Sequence, residues 1–300
     1  MVKKSRWKKR LKIGCLGLFG IVIILAIVAS RLISFSMTEE EVDEFYSQAS
    51  KKPISEFYLV GDYEMHYKVL ENSNGGTFIF IHGTPGSWDA FKGYFLDSAL
   101  YNQATIVSLD RPGFGQSSNG EAVASLEEQS ALLKPILEKY PAPRILIGHS
   151  LGGPIAARIA MDHPDLVEGI IMIAPAIAPD LEPEEDWFRV PMRWPLLRTL
   201  VPQVMKVSNE EVIYLKEELE LMLPLWKNIK ASSVVIQGTA DNLVHPGNGP
   251  FADSMLVNAP KEIIMLDSQN HFLPWNETVL VKKTMLDMLI NLKSKKTPKP

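Results

Sequence analysis

The chain has 300 residues, 46% of them hydrophobic, and a net charge of −4. That length holds one large globular domain, or one domain with an insertion, and the near balance of acid and base leaves nothing to suggest a nucleic-acid partner. Its one cysteine, Cys15, excludes an intramolecular disulfide and says nothing about redox compartment.

The charge is unevenly spread. Residues 1–12 carry Lys3, Lys4, Arg6, Lys8, Lys9, Arg10 and Lys12. IGCLGLFGIVIILAIVAS follows, 18 residues without a charge, long enough to cross the hydrocarbon core as a helix. Beyond it the chain turns acidic, at Glu39, Glu40, Glu41, Asp43 and Glu44. The positive-inside rule then sets residues 1–12 in the cytoplasm, makes 13–33 a transmembrane anchor with the lipid bilayer as its partner, and carries the rest across. Cleavage near Ser30, after Val28-Ala29-Ser30, is the competing reading and would give a secreted protein. The apolar run is longer than an ordinary signal-peptide core, which favours the anchor. Cys15 reads as packing within that run.

Thr38 with Glu41 makes a capping box, and Val42, Phe45 and Tyr46 follow at helical spacing, so a short linker helix is expected within 34–52. SEFYLV, a Gly61-Asp62 corner and YEMHYKVL alternate like an antiparallel hairpin. Six further runs are apolar and β-rich: TFIFI, TIVSL, RILI, GIIMI, SVVI and EIIML. Helical stretches separate most of them, one opening at the capping box of Ser125, one after Gly152, and one from about Glu277 to Leu292. Strands apolar on both faces with helices between them imply a mainly parallel sheet covered on both sides. About sixty residues separate GIIMI from SVVI, far more than one crossover helix needs. An inserted, mostly helical cap over 176–229 is expected there, with a helix capped by Ser208 and Glu211 and apolar residues that include Trp187, Phe188, Met192, Trp194, Leu221 and Trp226. The core then comprises 53–175 and 230–293, and 294–300 is a basic tail.

Gly148-His-Ser-Leu-Gly152 stands where the RILI strand meets a helix. Small residues on both sides let strand and helix approach closely, and a serine at the apex is held out at the sheet edge as a nucleophile elbow requires. The helix N-terminus behind it favours negative charge. From about Ser55 to Leu292, FIFIHGTPGSW, LDRPGFGQS, GHSLGG, VIQGTADNLV and NHFLPWNE occur in an order that resembles the α/β-hydrolase fold family in its capped, serine-esterase-like form. The resemblance implies a mainly parallel eight-stranded sheet with helices on both faces. It also implies Ser150 as nucleophile, a later acid and a final histidine.

Six histidines compete for the role of base. His66 and His163 read as structural, His82 as shaping the loop at Gly83, and His149 as packing behind the elbow. His245 shares a loop with the expected acid. His271 alone follows the last strand, where this fold returns to its catalytic edge. Asp241, in the loop after SVVI, fits the order Ser…Asp…His; Asp180 is the second choice, and Asp267 lies too near His271 to be placed independently. Asn270 stands where the family often has glycine. For the oxyanion the expected donors are the N–H groups of Leu151 and Thr84, with Gly83 behind Thr84, because Pro85 has no N–H. No metal-ligand cluster, phosphate loop or dinucleotide fingerprint is present in the sequence, so neither metal nor cofactor is expected. The function expected is cleavage of a small, uncharged, moderately hydrophobic ester through an acyl-enzyme. A thioesterase, amidase or C–C hydrolase on the same three residues, or a non-catalytic ligand sensor on the same scaffold, stands as the alternative. Nothing in the sequence fixes the oligomeric state.

Overall fold

A computed structural model of the chain describes residues 36–296, apart from 74, 118–120, 184–188 and 200, together with residues 20, 21, 24 and 28. The basic segment 1–12 and most of the expected anchor, with Cys15, lie outside the described residues, as do Trp187, Phe188 and the last four residues of the tail. Among the described residues no helix is long and apolar enough to cross a membrane.

Helix α1 (Glu39–Phe45) opens the folded body, with Thr38 and Glu41 forming the capping box. Strands β1 (Ile54–Val60) and β2 (Tyr63–Leu70) make the hairpin, turning at Gly61 with φ of +57°. Six more strands follow: β3 (Thr77–Ile81), β4 (Thr105–Leu109), β5 (Arg144–His149), β6 (Gly169–Ile173), β7 (Ser232–Gly238) and β8 (Lys261–Leu266). They form one eight-stranded sheet in the order β1-β2-β4-β3-β5-β6-β7-β8. β2 pairs antiparallel with both its neighbours, and every pairing from β4 to β8 is parallel.

Strand periodicity divides the core. In β3, Ile79 and Ile81 join the apolar cluster on one face while Phe78 and Phe80 join the cluster on the other. The first face is covered by α2 (Leu126–Lys139) and α3 (Gly152–Asp162), through Leu133, Ile136, Ile155 and Ile159. The second is covered by the 3₁₀ segment Trp88–Leu96 and by the C-terminal helix, through Phe91, Phe95, Val281 and Met285. Full burial of each such side chain is worth about 1.5–3 kcal/mol, so both faces are held by many comparable contributions.

Two expectations require correction. EIIML was expected to be apolar on both faces, yet β8 ends the sheet and is half-exposed along its length. Its position at the edge removes the second covering layer. The helix expected to start at Ser208 instead runs as α4 from Gln203 to Met222, with Pro202 as its N-cap. Ser208 lies inside it, and Val207, Glu211, Leu215, Leu219 and Met222 form one buried stripe. The lower half of that stripe, with Trp226, packs into the core cluster over α3. The cap is therefore rooted in the main body, and its large apolar residues divide. Met222 and Trp226 are core, whereas Trp194 and Leu221 are exposed.

Candidate active site

β5 delivers the chain to Ser150 at φ of +54°, a left-handed conformation that costs a non-glycine residue about 1–3 kcal/mol. The corner is tied in place by its own backbone. Ser150 N–H donates to Ile173 O at 3.0 Å, and Ser150 O accepts from Gly153 N–H at 2.9 Å. The flanking glycines are required by contact. A Cβ at 148 would lie 2.2 Å from the Gly152 oxygen, and one at 152 would lie 2.1 Å from the oxygen of Ile81 on β3. The corner therefore closes only with glycine on both sides.

Ser150 opens into a cavity of about 530 Å³ that Gly83, Thr84, Leu151 and His271 also line. His271 lies in the loop after β8 and is 6% exposed. Its Nδ1 meets Asp241 Oδ2 at 2.8 Å, and His271 lines the same cavity as Ser150. The other carboxylate oxygen of Asp241 accepts the N–H groups of Leu243 and Val244, each at 2.9 Å. Burial works against ionising Asp241. The hydrogen bonds from His271, Val244 and Leu243 outweigh it and hold the carboxyl below its ordinary range. Asp180 sits exposed in the turn Pro179–Leu181, and Asp267 is exposed and accepts from Thr239 Oγ1 at 3.2 Å. Of the three candidate acids, Asp241 is the one bonded to His271.

Asn270, in the place of the family's glycine, accepts the N–H of Phe272 at 3.0 Å and the amide of Asn276 at 3.1 Å, so its side chain fixes the turn that carries His271. Four of the five remaining histidines are placed by their partners. His66 is buried against Asp110 at 2.7 Å, and His245 accepts Gly247 N–H at 3.0 Å. His82 donates to Gly83 O at 2.7 Å and accepts Arg111 N–H at 3.1 Å, which does shape that loop. His149 is a correction. It was expected behind the elbow, but its ring lies 4.7 Å from that of His271 and 5.1 Å from that of Trp275. Its Nε2 donates to His271 O at 3.1 Å, so it is tied directly to the loop that carries His271. Burial, with the neighbouring His271 ring adding to it, pushes the His149 imidazole down to about 3.

Three participants escaped the sequence analysis. Arg111 is fully buried behind the loop 82–84, donating to His82 O and Gly83 O at 2.9 Å each and to Gln129 Oε1 at 3.0 Å. Its guanidinium meets Glu211 of α4 at 2.5 and 3.1 Å. Glu211 also accepts from Thr84 Oγ1 at 2.7 Å and from Gln129 Nε2 at 3.0 Å. One carboxylate of the cap thus holds both the loop and the side chain of Thr84, whose main-chain N–H is an expected oxyanion donor. A carboxylate four residues from both Val207 and Leu215, on an otherwise apolar stripe, was the available signal. Among the described residues no group of three or more His, Cys, Asp or Glu side chains is arranged to hold a metal ion.

A model of the alpha/beta hydrolase fold matches residues 76–214. The chain has the α/β-hydrolase fold. Solved α/β-hydrolases superpose over nearly its whole length. A protein assigned as a lipase from Acinetobacter baumannii AYE gives a TM-score of 0.67 at 18% identity, over 88% of this chain and 98% of that one. A membrane phospholipase A gives 0.62 at 18% identity, over 97% and 100%. Among curated sequences, a protein of Oryza sativa subsp. japonica named Probable 1-acylglycerol-3-phosphate O-acyltransferase is 30% identical over 123 residues, 38% of this chain and 29% of that protein. The chain thus spans less than a third of the length of the curated relatives it matches.

Replacing Glu211 with Leu strands Arg111 as an unpaired buried cation and should cost about 3–5 kcal/mol in urea unfolding; the double variant Arg111→Met/Glu211→Leu should recover about 2 kcal/mol of that loss. A double variant no more stable than the single one would show that the pair does not act as a unit. The depressed His149 makes a second prediction, with the sign set by proton uptake. Below an ordinary histidine value near 6.5 the unfolded chain binds a proton that the folded chain refuses, so stability falls as pH drops toward 3. His149→Gln removes that slope. The stability gap between pH 6.5 and pH 5 should shrink by about 2 kcal/mol relative to the parent. Parallel slopes in the two proteins would contradict the neutral, buried His149.

Proposed function

We propose that the protein is a membrane-anchored serine hydrolase that cleaves a small, uncharged, moderately hydrophobic ester through an acyl-enzyme. The observation that carries this reading is the strained corner that brings Ser150 into one cavity with His271, whose Nδ1 is already held by an ionised, buried Asp241. With Nδ1–H committed to the carboxylate, Nε2 is the basic nitrogen, and it takes the Ser150 proton as Oγ attacks the ester carbonyl. The carbonyl oxygen becomes an oxyanion that the N–H groups of Leu151 and Thr84 stabilise, with the positive end of α3 behind them. The tetrahedral species collapses, its C–O bond breaks, and His271 returns the proton to the departing alcohol. Water then attacks the acyl-enzyme by the same route, releasing the acid and restoring Ser150.

Neutral His149 fits this sequence of steps. A second cation 4.7 Å from the His271 ring would oppose the imidazolium that forms with each proton transfer. Val212, Leu215 and Val244 give the cavity apolar wall, which suits an uncharged acyl or alcohol group. The fold neighbours assigned as a lipase and a phospholipase support ester chemistry. The uncharged run at 13–30, with seven cations before it, supports an anchor that sets the folded body outside the cytoplasm.

Turnover of p-nitrophenyl butyrate tests the reading. Ser150→Ala should abolish it. Asp241→Asn offers His271 a neutral amide and the wrong tautomer, and should lower turnover by about four orders of magnitude. Asp180→Asn should stay within about tenfold of the parent. Circular dichroism checks that all three variants are folded. A folded Asp241→Asn enzyme near parental turnover would remove Asp241 from the mechanism.

A further inference from the structure

The folded body begins beside the mouth of the cavity. Met37 N–H donates to Asp89 Oδ2 at 2.8 Å, and Asp89 and Ala90 line the cavity. The helix that follows is locked down. Its capping box is closed, Val42 is fully buried, Lys68 Nζ donates to Glu39 at 2.8 Å, and Tyr46 OH donates to Lys92 O at 2.8 Å. The path of the chain into Met37 is therefore fixed relative to the mouth. Seven residues lead from Ser30, the last of the uncharged apolar run, to Met37, and they reach at most about 25 Å when fully extended.

The mouth carries apolar side chains that water does not favour. Leu243, Phe272 and Trp275 all line the cavity, yet they are 69%, 49% and 44% exposed. Trp275 is oriented, not loose. Its Nε1–H donates to Ala90 O at 2.7 Å, tying this rim to the segment that receives Met37. Contiguous exposed apolar side chains around a binding cavity mark a docking face, and an amphipathic indole is at home at the level of the lipid headgroups.

We propose that the cavity mouth rests on the bilayer that carries residues 13–30, and that the enzyme, beyond the small esters of the reading above, also draws uncharged long-chain esters, such as a diacylglycerol, from that lipid phase. The proposal rests on the membrane-anchor and serine-hydrolase readings above. The connection is short and the chain is fixed at Met37, which keeps the mouth close to the membrane surface, and Leu243, Phe272 and Trp275 offer lipid chains apolar contact at the entrance. Water enters from the aqueous side and cleaves the acyl C–O bond. Its hydroxyl goes to the acyl carbon and its proton to the alcohol oxygen, and the fatty acid returns to the bilayer.

The test uses the full chain in dioleoylphosphatidylcholine liposomes, with Cys15→Ser as background and a nitroxide on Leu243→Cys or on Val257→Cys. Val257 is 67% exposed and precedes β8, at the sheet edge away from the site. The chain should float with the liposomes. The label at 243 should be reached by oxygen and shielded from an aqueous nickel chelate, and the label at 257 should show the reverse. Dioleoylglycerol in the enzyme's own vesicles should be hydrolysed at least about tenfold faster than the same lipid in separate vesicles, because tethering raises its effective concentration. A floating chain whose label at 243 is as open to nickel as that at 257, or equal rates from both vesicle populations, overturns the proposal and leaves the anchor standing. A chain that does not float overturns both. Absence of p-nitrophenyl butyrate turnover overturns the hydrolase reading, and the lipid ester with it.

Discussion

The closure of the strand-to-helix corner at Ser150 is the constraint on which the rest of the site depends. β5 and α3 meet so tightly that carbonyl oxygens occupy the places where Cβ atoms at 148 and 152 would stand. The serine between them has no room to relax out of φ +54°. The same closeness sets Gly152 against the end of β3, and so fixes the loop 82–84 beside the serine. Ser150, the loop 82–84 and the N-terminus of α3 are thereby placed by one packing event between three elements. Its local strain, about 1–3 kcal/mol, is small beside the apolar burial of β3, β5 and α3.

The cap is part of this machinery through a charge. Arg111 and Glu211 are buried with almost no exposure, and their desolvation makes the pair a weak source of net stability. What the pair provides is register. Guanidinium and carboxylate engage His82 O, Gly83 O, Thr84 Oγ1 and Gln129 at once, and few placements of α4 over the loop satisfy all of them. The wall of the cavity and the loop on its floor are thus held as one unit. Neutral His149 and the Asn270 turn hold the loop that carries His271.

Much of the architecture was legible in the sequence because its signals are local. The strands of the sheet read as β-rich apolar runs, the capping boxes at Thr38 and Ser125 preceded real helices, and the glycine-fenced serine lay where strand gives way to helix. What was not legible depends on contacts between distant residues. Arg111 and Glu211 are 100 positions apart, and neither alone announces a partner. Ser208 looked like a cap because it precedes Glu211 by three residues, yet both are buried in mid-helix, and Glu211 is covered by Arg111, Thr84 and Gln129, all distant in the chain. β8 looked like an inner strand because its residues are apolar, and only its position at the end of the sheet exposes it. His149 was misplaced because the direction of a side chain at so tight a corner follows from backbone geometry that residue type does not encode.

The central claim is that this corner turns one hydroxyl among many into a nucleophile. Incubating the purified chain with an activated fluorophosphonate, followed by peptide mapping by mass spectrometry, tests it most directly. The account predicts one adduct per chain, on the peptide that carries Ser150, and its loss when His271 is replaced by alanine. An adduct on a different serine, or ester turnover that continues while Ser150 stays unmodified, would contradict it.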